Sequence, residues 1–213
     1  MSKSAKTTAK GEKTVAPTAE PAKSAKTAAK KTKNTGADFP RPWVDHYPEG
    51  VPAEMGDYPF ASLGDLLVDA CKAHGDRPAF TCMGKALSYR ALDALSERFA
   101  AYLQSLGLKP GARVALMMPN VLQYPVAMMA VLRAGYVVVN VNPLYTPREL
   151  EHQLNDAGAE AIVILENFAH TLQAVAARTT VKHVVVASMG DLLGLKGFIV
   201  NLVVRRVKKM VPA

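Results

Sequence analysis

Residues 111–158 read GARVALMMPNVLQYPVAMMAVLRAGYVVVNVNPLYTPRELEHQLNDAG, and apolar runs alternate with helical patterns along this segment. The apolar runs at 113–118 and 136–141 predict two strands, because short continuous apolar runs bounded by turn residues are typical of buried strands. Residues 146–149 (TPRE) predict a helix start, with threonine at the cap, proline in the first position and glutamate in the third. Strands of this kind separated by helices indicate a parallel or mostly parallel sheet that is covered on both faces.

The same alternation continues on both sides of this segment. It predicts helices at 62–75, 89–106 and 168–177, a small hairpin at 79–88, and strands at 161–165 and 183–187. One local conflict lies at Pro125, which would remove an intrahelical hydrogen bond if a helix began at Asn120. We therefore expect an irregular first turn or a later start. The predicted fold class is α/β, with the sheet flanked by helices.

Residues 1–37 differ from the rest of the chain. They are rich in Lys, Ala and Thr, contain no aromatic residue, and carry nine lysines and two glutamates, which is +7 of the chain's net charge of +8. Such a segment cannot bury enough apolar surface to become ordered, so we expect a disordered tail at 1–37 and one α/β portion at 38–213. The tail is either a basic arm that contacts nucleic acid or anionic lipid, or a solvated extension without a specific partner. The remaining, nearly neutral part offers no basic footprint for nucleic acid.

Neither the composition nor the sequence motifs indicate a reactive centre. Cys71 and Cys82 form no CxxC pair, which favours reduced thiols in a cytoplasmic protein. No secretory signal is expected in residues 1–37, and no transmembrane helix elsewhere. The glycines of residues 194–197 (GLKG) lack the spacing of a phosphate loop, and neither GxGxxG nor GxSxG occurs. The acidic and histidine side chains of residues 149–152 have no second ligand cluster. We therefore predict no catalytic, cofactor-binding or metal-binding residue in this chain.

The segment 111–158 resembles the acyl-adenylate-forming superfamily and, within it, bacterial-type long-chain fatty acid–CoA ligases. The resemblance rests on GARVALMMPN at 111–120, LRAG at 132–135 and VNPLYTPRELEHQLNDAG at 141–158, and it extends over about residues 40–213. It implies that the fold is the incomplete amino-terminal portion of the large adenylation domain.

Membership of this family would imply a two-step reaction. The fatty acid carboxylate attacks ATP to give acyl-AMP and pyrophosphate, and the thiol of CoA then displaces AMP. Mg²⁺ and ATP would be the cofactors, fatty acid and CoA the substrates, and a homodimer is implied because some relatives dimerise through their amino-terminal region. The family's phosphate loop, nucleotide pocket and catalytic lysine have no counterpart in this sequence. The resemblance thus implies a fragment that is inactive alone. The alternative is a stand-alone, non-catalytic interaction module that binds a membrane surface or nucleic acid through its tail and terminal helix.

Three residues that follow the second apolar strand are candidates for the edge of a ligand cleft. Asn142, Tyr145 and Arg148 are polar groups near the carboxyl edge of the predicted sheet, where such sheets place ligands. One interpretation is that they shape an acyl or nucleotide cleft. The other is that they only form the turn and the helix start.

The last segment, residues 195–211, predicts an amphipathic helix. Its apolar residues share one face, and Lys196, Arg205, Lys208 and Lys209 lie towards the other. This pattern indicates either a helix at the inner face of the membrane, which would make the protein peripheral, or a helix that packs on the rest of the enzyme with a solvated basic side.

Overall fold

The computed structural model describes residues 40–57 and 59–212. The predicted disordered tail at 1–37 lies outside these residues. The chain divides into two units, residues 1–54 and 55–213. The described part of the first unit contains a 3₁₀ turn at Pro42–His46 and an ion pair between Arg41 and Glu54.

The second unit alternates strands and helices in the predicted α/β order. Its helices are α1 (Leu63–His74), α2 (Tyr89–Ser105), α3 (Gln123–Arg133), α4 (Pro147–Ala157), α5 (Ala169–Gln173) and α6 (Leu195–Leu202). Its strands are β1 (Pro78–Cys82), β2 (Lys85–Ser88), β3 (Arg113–Met117), β4 (Val137–Asn140), β5 (Ala159–Leu165) and β6 (His183–Ala187). Shorter turns of 3₁₀ helix lie at Glu166–Phe168 and Ala176–Arg178, and a π-helical turn at Val203–Val207 follows α6.

Strands β3 to β6 form one parallel sheet in the order β4-β3-β5-β6, and β1 and β2 form the predicted antiparallel hairpin. Alternate residues of the two central strands point to opposite faces, as strand geometry requires. One face packs against α2 and α3 through residues such as Val114, Leu103 and Val131. The other face packs against α4 and α5 through residues such as Ile162 and Leu150.

The prediction that the sheet is covered on both faces is confirmed for β3 and β5, and the outer strands β4 and β6 are covered in part. Val137 on β4, and Val184 and Val186 on β6, are about half exposed. These strands end the sheet on either side, where Val138, Val139 and Val185 pack against the core clusters and the other valines reach solvent. A continuous apolar run therefore marks an edge strand here as well as a central one.

The predicted start of α4 is confirmed. Thr146 Oγ1 accepts a hydrogen bond from the Glu149 N–H, and the Glu149 carboxylate accepts one from the Thr146 N–H at 2.8 Å. This reciprocal pair satisfies two donors that a helix start otherwise leaves free. The later start of α3 is also confirmed: the helix begins at Gln123, so that Pro125 lies in the first turn, where its missing N–H breaks no intrahelical bond.

Two predicted helices are shorter than expected. The helix expected at 168–177 is interrupted, because Val175 leaves the helical region (φ −130°) and buries its side chain beside Leu172. The helix expected at 195–211 is α-helical only at Leu195–Leu202, after which the π-helical turn changes the spacing of the side chains. The basic residues Lys208 and Lys209 thus lie beyond the regular helix.

Candidate functional site

The carboxyl ends of the four parallel strands meet at one edge of the sheet, at Met117, Asn140, Leu165 and Ala187. Open α/β sheets bind ligands outside this edge, because the loops that follow the strands diverge there. The side chains that follow each strand therefore define the candidate site.

Polar side chains at this edge connect the end of β4 and the segment after β6 to helices α3 and α4. The Tyr124 hydroxyl of α3 donates a hydrogen bond to Asn140 Oδ1 at 2.7 Å, and Gln153 Nε2 of α4 donates to the Asn140 carbonyl oxygen at 2.9 Å. On the other side of β3, Gln123 Nε2 donates to the Ser188 carbonyl oxygen at 2.6 Å. These bonds fix the end of β4 and the segment after β6.

The end of β5 is joined to the terminal segment by two contacts. The Arg205 guanidinium donates to the Glu166 carboxylate at 2.9 Å and to Ser188 Oγ at 2.8 Å. Its hydrogen bond with Glu166, together with the charge of that carboxylate, raises the pKa of Arg205. The buried Asn167 donates from Nδ2 to the Met210 carbonyl oxygen at 3.1 Å.

Asn167 also carries a buried polar atom without a partner. Among the described residues nothing donates a hydrogen bond to its Oδ1. Buried amide oxygens usually have a partner, which can be an ordered water or a ligand. This oxygen lies directly after β5 and is a candidate acceptor at the carboxyl edge.

The structure does not bring the three predicted cleft-edge residues to one point. Asn142 is exposed, and its Oδ1 accepts a hydrogen bond from the Leu144 N–H at 3.0 Å, which stabilises the turn after β4. Tyr145 is half-buried against the core under α4. Tyr145 and the exposed Arg148 line adjacent surface recesses, both bordered by Glu149 and His152.

Glu149 belongs to the capping of α4. The N–H and hydroxyl of Thr146 donate hydrogen bonds to its carboxylate and lower its pKa. The side chain is therefore held as an anion at the first turn of the helix.

An apolar cavity of about 250 Å³ lies beside the end of β3, where sequence patterns did not indicate a site. Its wall combines the hairpin with the start of α3, through Phe80, Thr81, Cys82, Asn120, Val121, Leu122, Tyr124, Pro125 and Met128. The Cys82 thiol donates to the Asn120 carbonyl oxygen at 3.7 Å across this wall. The one sequence signal for it is the delayed helix start at Pro125, which leaves the loop after β3 free to line a cavity.

No three His, Cys, Asp or Glu side chains come together within residues 40–57 and 59–212. The two glycines of the GLKG segment have different roles: Gly194 directly precedes α6 with a positive φ of 64°, and Gly197 packs against Gly190.

The four predicted surface cations have different environments. Lys196 donates from Nζ to the Met83 carbonyl oxygen at 2.7 Å, and Arg205 pairs with Glu166. Lys208 and Lys209 are exposed at the end of the terminal segment. No helix in the part of the chain that the structure describes is long and apolar enough to cross a membrane.

Taken together, the parallel sheet, its helical cover and the polar groups at its carboxyl edge define an α/β domain of the ligand-binding type. The sequence model of the AMP-binding enzyme family matches residues 67–198, so the chain belongs to that family. A long-chain-fatty-acid–CoA ligase of Salmonella typhimurium is 56% identical over 172 residues, which are 80% of this chain and 31% of that protein. The corresponding ligase of Bacillus subtilis is 39% identical over 126 residues, which are 59% of this chain and 22% of that protein.

A solved structure is also similar. The crystal structure of a long-chain-fatty-acid-CoA ligase from Archaeoglobus fulgidus superposes with a TM-score of 0.58 and 27% identity, covering 66% of this chain and 30% of that one. The chain thus spans between 22% and 31% of the length of these relatives, and the predicted resemblance to this family is confirmed.

Proposed function

We propose that this chain is the amino-terminal scaffold of a long-chain fatty acid–CoA ligase, working in the cytoplasm on fatty acid, ATP and CoA. The observation that carries the proposal is the 56% identity to such a ligase, extended over most of this chain but only 31% of the relative. The whole enzyme would join the fatty acid carboxylate to AMP, releasing pyrophosphate, and then transfer the acyl group to the CoA thiol with release of AMP.

In this proposal the described residues shape the site and do not perform the bond changes. The 2.7 Å hydrogen bond between Tyr124 and Asn140 joins α3 to the end of β4 at the carboxyl edge. Asn142, Tyr145 and Arg148 follow β4 at the same edge and would border the cleft from one side. Catalysis of phosphate-centred transfer depends on positioned cationic groups and metal ions. ATP and Mg²⁺ would accordingly be bound mainly by groups outside residues 1–213.

It follows that residues 1–213 alone should make no acyl-CoA. The purified chain, mixed with palmitate, ATP, Mg²⁺ and CoA, is assayed for palmitoyl-CoA by chromatography and for AMP release. We expect no product above a protein-free control. Sustained turnover would show that this chain contains a complete active site and would contradict the scaffold role.

A chimera tests whether this chain can serve as the amino-terminal part of an active ligase. The matched segment of the Salmonella typhimurium ligase is replaced by the corresponding residues of this chain. We expect the chimera to form palmitoyl-CoA, while the same ligase lacking the segment does not. A folded, monodisperse chimera without activity would argue against the assignment.

A stand-alone interaction module is a second candidate, favoured by the exposed apolar side chains of α6. In that case the chimera would be inactive, and the isolated chain would bind DNA or anionic vesicles with an affinity that falls steeply with salt.

A further inference from the structure

The terminal segment, residues 203–212, lies across the carboxyl ends of two neighbouring strands. Arg205 on this segment donates hydrogen bonds to Glu166, directly after β5, at 2.9 Å and to Ser188, directly after β6, at 2.8 Å. Strands β5 and β6 are adjacent and parallel, so their carboxyl ends lie side by side. One arginine therefore ties the segment to the ends of both strands.

Asn167 provides a second attachment of the terminal segment. Its Nδ2 donates a hydrogen bond to the Met210 carbonyl oxygen at 3.1 Å, and only 7% of the residue is exposed. The Glu166 carboxylate that pairs with Arg205 is almost as enclosed, with 11% of its side chain exposed. A buried polar group that loses its partner has no water to replace it, so these two attachments are costly to break. We call the contacts of Arg205 and Asn167 the clamp.

The backbone of the clamped segment is irregular. The π-helical turn at Val203–Val207 replaces the regular helix, and Lys209 has a positive φ of 48°. Both features are uncommon, and a strained residue persists only where the surrounding structure holds it in place. Both also concentrate at functional sites. The clamp therefore holds the segment on a path that the backbone alone does not favour.

The order of the strands places a ligand crevice beside the clamp. In the order β4-β3-β5-β6, the chain adds β4 on one side of β3 and then passes back to add β5 on the other side. Helix α3, which follows β3, packs on one face of the sheet, and α5, which follows β5, packs on the opposite face. The connections therefore diverge between the ends of β3 and β5. Open α/β sheets bind their ligands at such a switch point.

Asn167 belongs to both the clamp and the switch point. It lies just after β5, and no described residue donates a hydrogen bond to its buried Oδ1. A buried amide oxygen in this position can accept a hydrogen bond from a hydroxyl or amino group of a ligand, or from an ordered water. The residue that holds the terminal segment is therefore also a polar group of the crevice.

We propose that Glu166, Asn167 and Arg205 are positioning residues of the ligase. The clamp holds the terminal segment over the ends of β5 and β6, so that the segment forms one wall of a substrate cleft at the switch point. The clamp contacts none of the reacting atoms and acts through the position of this wall. The inference rests on the proposed ligase function, and it adds where a substrate binds and which contacts keep the cleft in shape.

Steady-state kinetics of the chimeric ligase, with the residues up to 213 taken from this chain, test the role of Arg205. Arg205→Ala should raise the KM for palmitate, ATP or CoA at least about fivefold and change kcat by less than about twofold, because a displaced wall weakens binding without altering the chemical step. Arg206→Ala is the matched control: Arg206 is exposed, and no ion pair among the described residues involves it. It should leave both constants unchanged.

Two asparagines form a second matched pair. Asn167 and Asn155 each donate from Nδ2 to a backbone carbonyl oxygen, at 3.1 Å and 2.9 Å, but Asn155 lies near the end of α4 and outside the clamp. Asn167→Ala should raise the same KM as Arg205→Ala, whereas Asn155→Ala should not. If Asn167→Ala does not fold, Ser188→Ala, which removes a single acceptor of the clamp, takes its place.

Two readouts separate positioning from a structural role. All assays are run well below the melting temperature of the least stable variant, where a clamp that only stabilises the fold would leave KM unchanged. Arg205→Lys retains a cation that can pair with Glu166, so it should recover part of the KM that Arg205→Ala loses.

The possible failures can be told apart. An unchanged KM in Arg205→Ala, or an equal rise in Arg205→Ala and Arg206→Ala, would overturn the positioning role while the active chimera still supports the ligase function. A fall in kcat without a change in KM would overturn it too. A folded wild-type chimera without activity would contradict the ligase function and this inference together.

Discussion

Gly190 and Gly197 bring their backbones into direct contact, and this contact determines where α6 lies. A Cβ atom on Gly197 would be 2.0 Å from the Gly190 carbonyl oxygen, and one on Gly190 would be 2.3 Å from the Gly197 carbonyl oxygen. Side-chain carbons do not approach backbone atoms so closely, so each position accepts only glycine without displacement of the helix.

Gly197→Ala should therefore destabilise the protein by about 1–3 kcal/mol, the usual cost of forcing extra atoms into a packed contact. Urea unfolding followed by circular dichroism measures the change, and limited proteolysis should cut near α6 more quickly. Gly56→Ala is the control, because no atom lies within 4 Å of a Cβ built there. Equal stability of the two variants would show that the contact is looser than described.

The packing of α4 against the sheet leads to a second prediction. Leu150 is fully buried against β3 and β5, whereas Leu144, in the turn before the helix, is 81% exposed. Leu150→Ala leaves a cavity and should lower the free energy of unfolding by about 2–5 kcal/mol. Leu144→Ala should change it by less than about 0.5 kcal/mol. Urea denaturation measures the free energy of unfolding of both variants. A similar small effect at both positions would contradict the packing of α4.

Local features of the fold could be predicted from the sequence. The cap of α4 depends on Thr146 and Glu149, which are three residues apart, and the late start of α3 depends on Pro125. The strands β3 and β5 depend on their own apolar runs. Each of these features is decided by neighbours in the chain, so periodicity and capping rules suffice for them.

Features that depend on distant residues could not be predicted. The valines of β4 and β6 resemble those of a central strand, and only the strand order places Val137 and Val184 at exposed edges. The apolar cavity joins Cys82 to Asn120, which are 38 residues apart. The spacing of the apolar residues of α6 predicts an amphipathic helix, but the contact between Gly190 and Gly197 decides which face packs on the protein.

The capping carboxylate of α4 predicts a pH dependence of stability. The pKa of Glu149 is lowered by hydrogen bonds from the Thr146 N–H and hydroxyl. Because the folded pKa is lower than the unfolded one, the carboxylate contributes its full stabilisation above the unfolded pKa of about 4.3, and this is lost as the pH falls through the folded value.

Glu149→Gln removes this contribution. The wild-type chain should melt at a higher temperature than the variant at neutral pH, and the two melting temperatures should converge as the solution becomes acidic. Glu97→Gln, which changes an exposed glutamate of α2, corrects for the loss of one surface charge. A melting-temperature difference that is independent of pH would show that the Glu149 charge plays no part in the cap.

The two free thiols should differ in reactivity. Cys71 lies on α1 and is buried against Leu87 of the hairpin and Leu92 of α2, whereas Cys82 is only partly buried at the wall of the apolar cavity. Burial raises the pKa of the Cys71 thiol, the charge of Asp93 adds to this effect, and the charge of Arg133 opposes it. Since the thiolate is the reactive form, Cys71 should react slowly for reasons of both access and ionisation.

A thiol reagent that releases a coloured product measures the reaction rates of the two thiols directly. The native chain should show one fast reaction, which Cys82→Ser abolishes and Cys71→Ser retains. The second thiol should react only after urea unfolds the chain, at a rate that follows the opening of α1. Rapid modification of the Cys82→Ser variant under native conditions would mean that α1 does not stay packed on α2, and that the core around Leu87 and Leu92 is open to solvent.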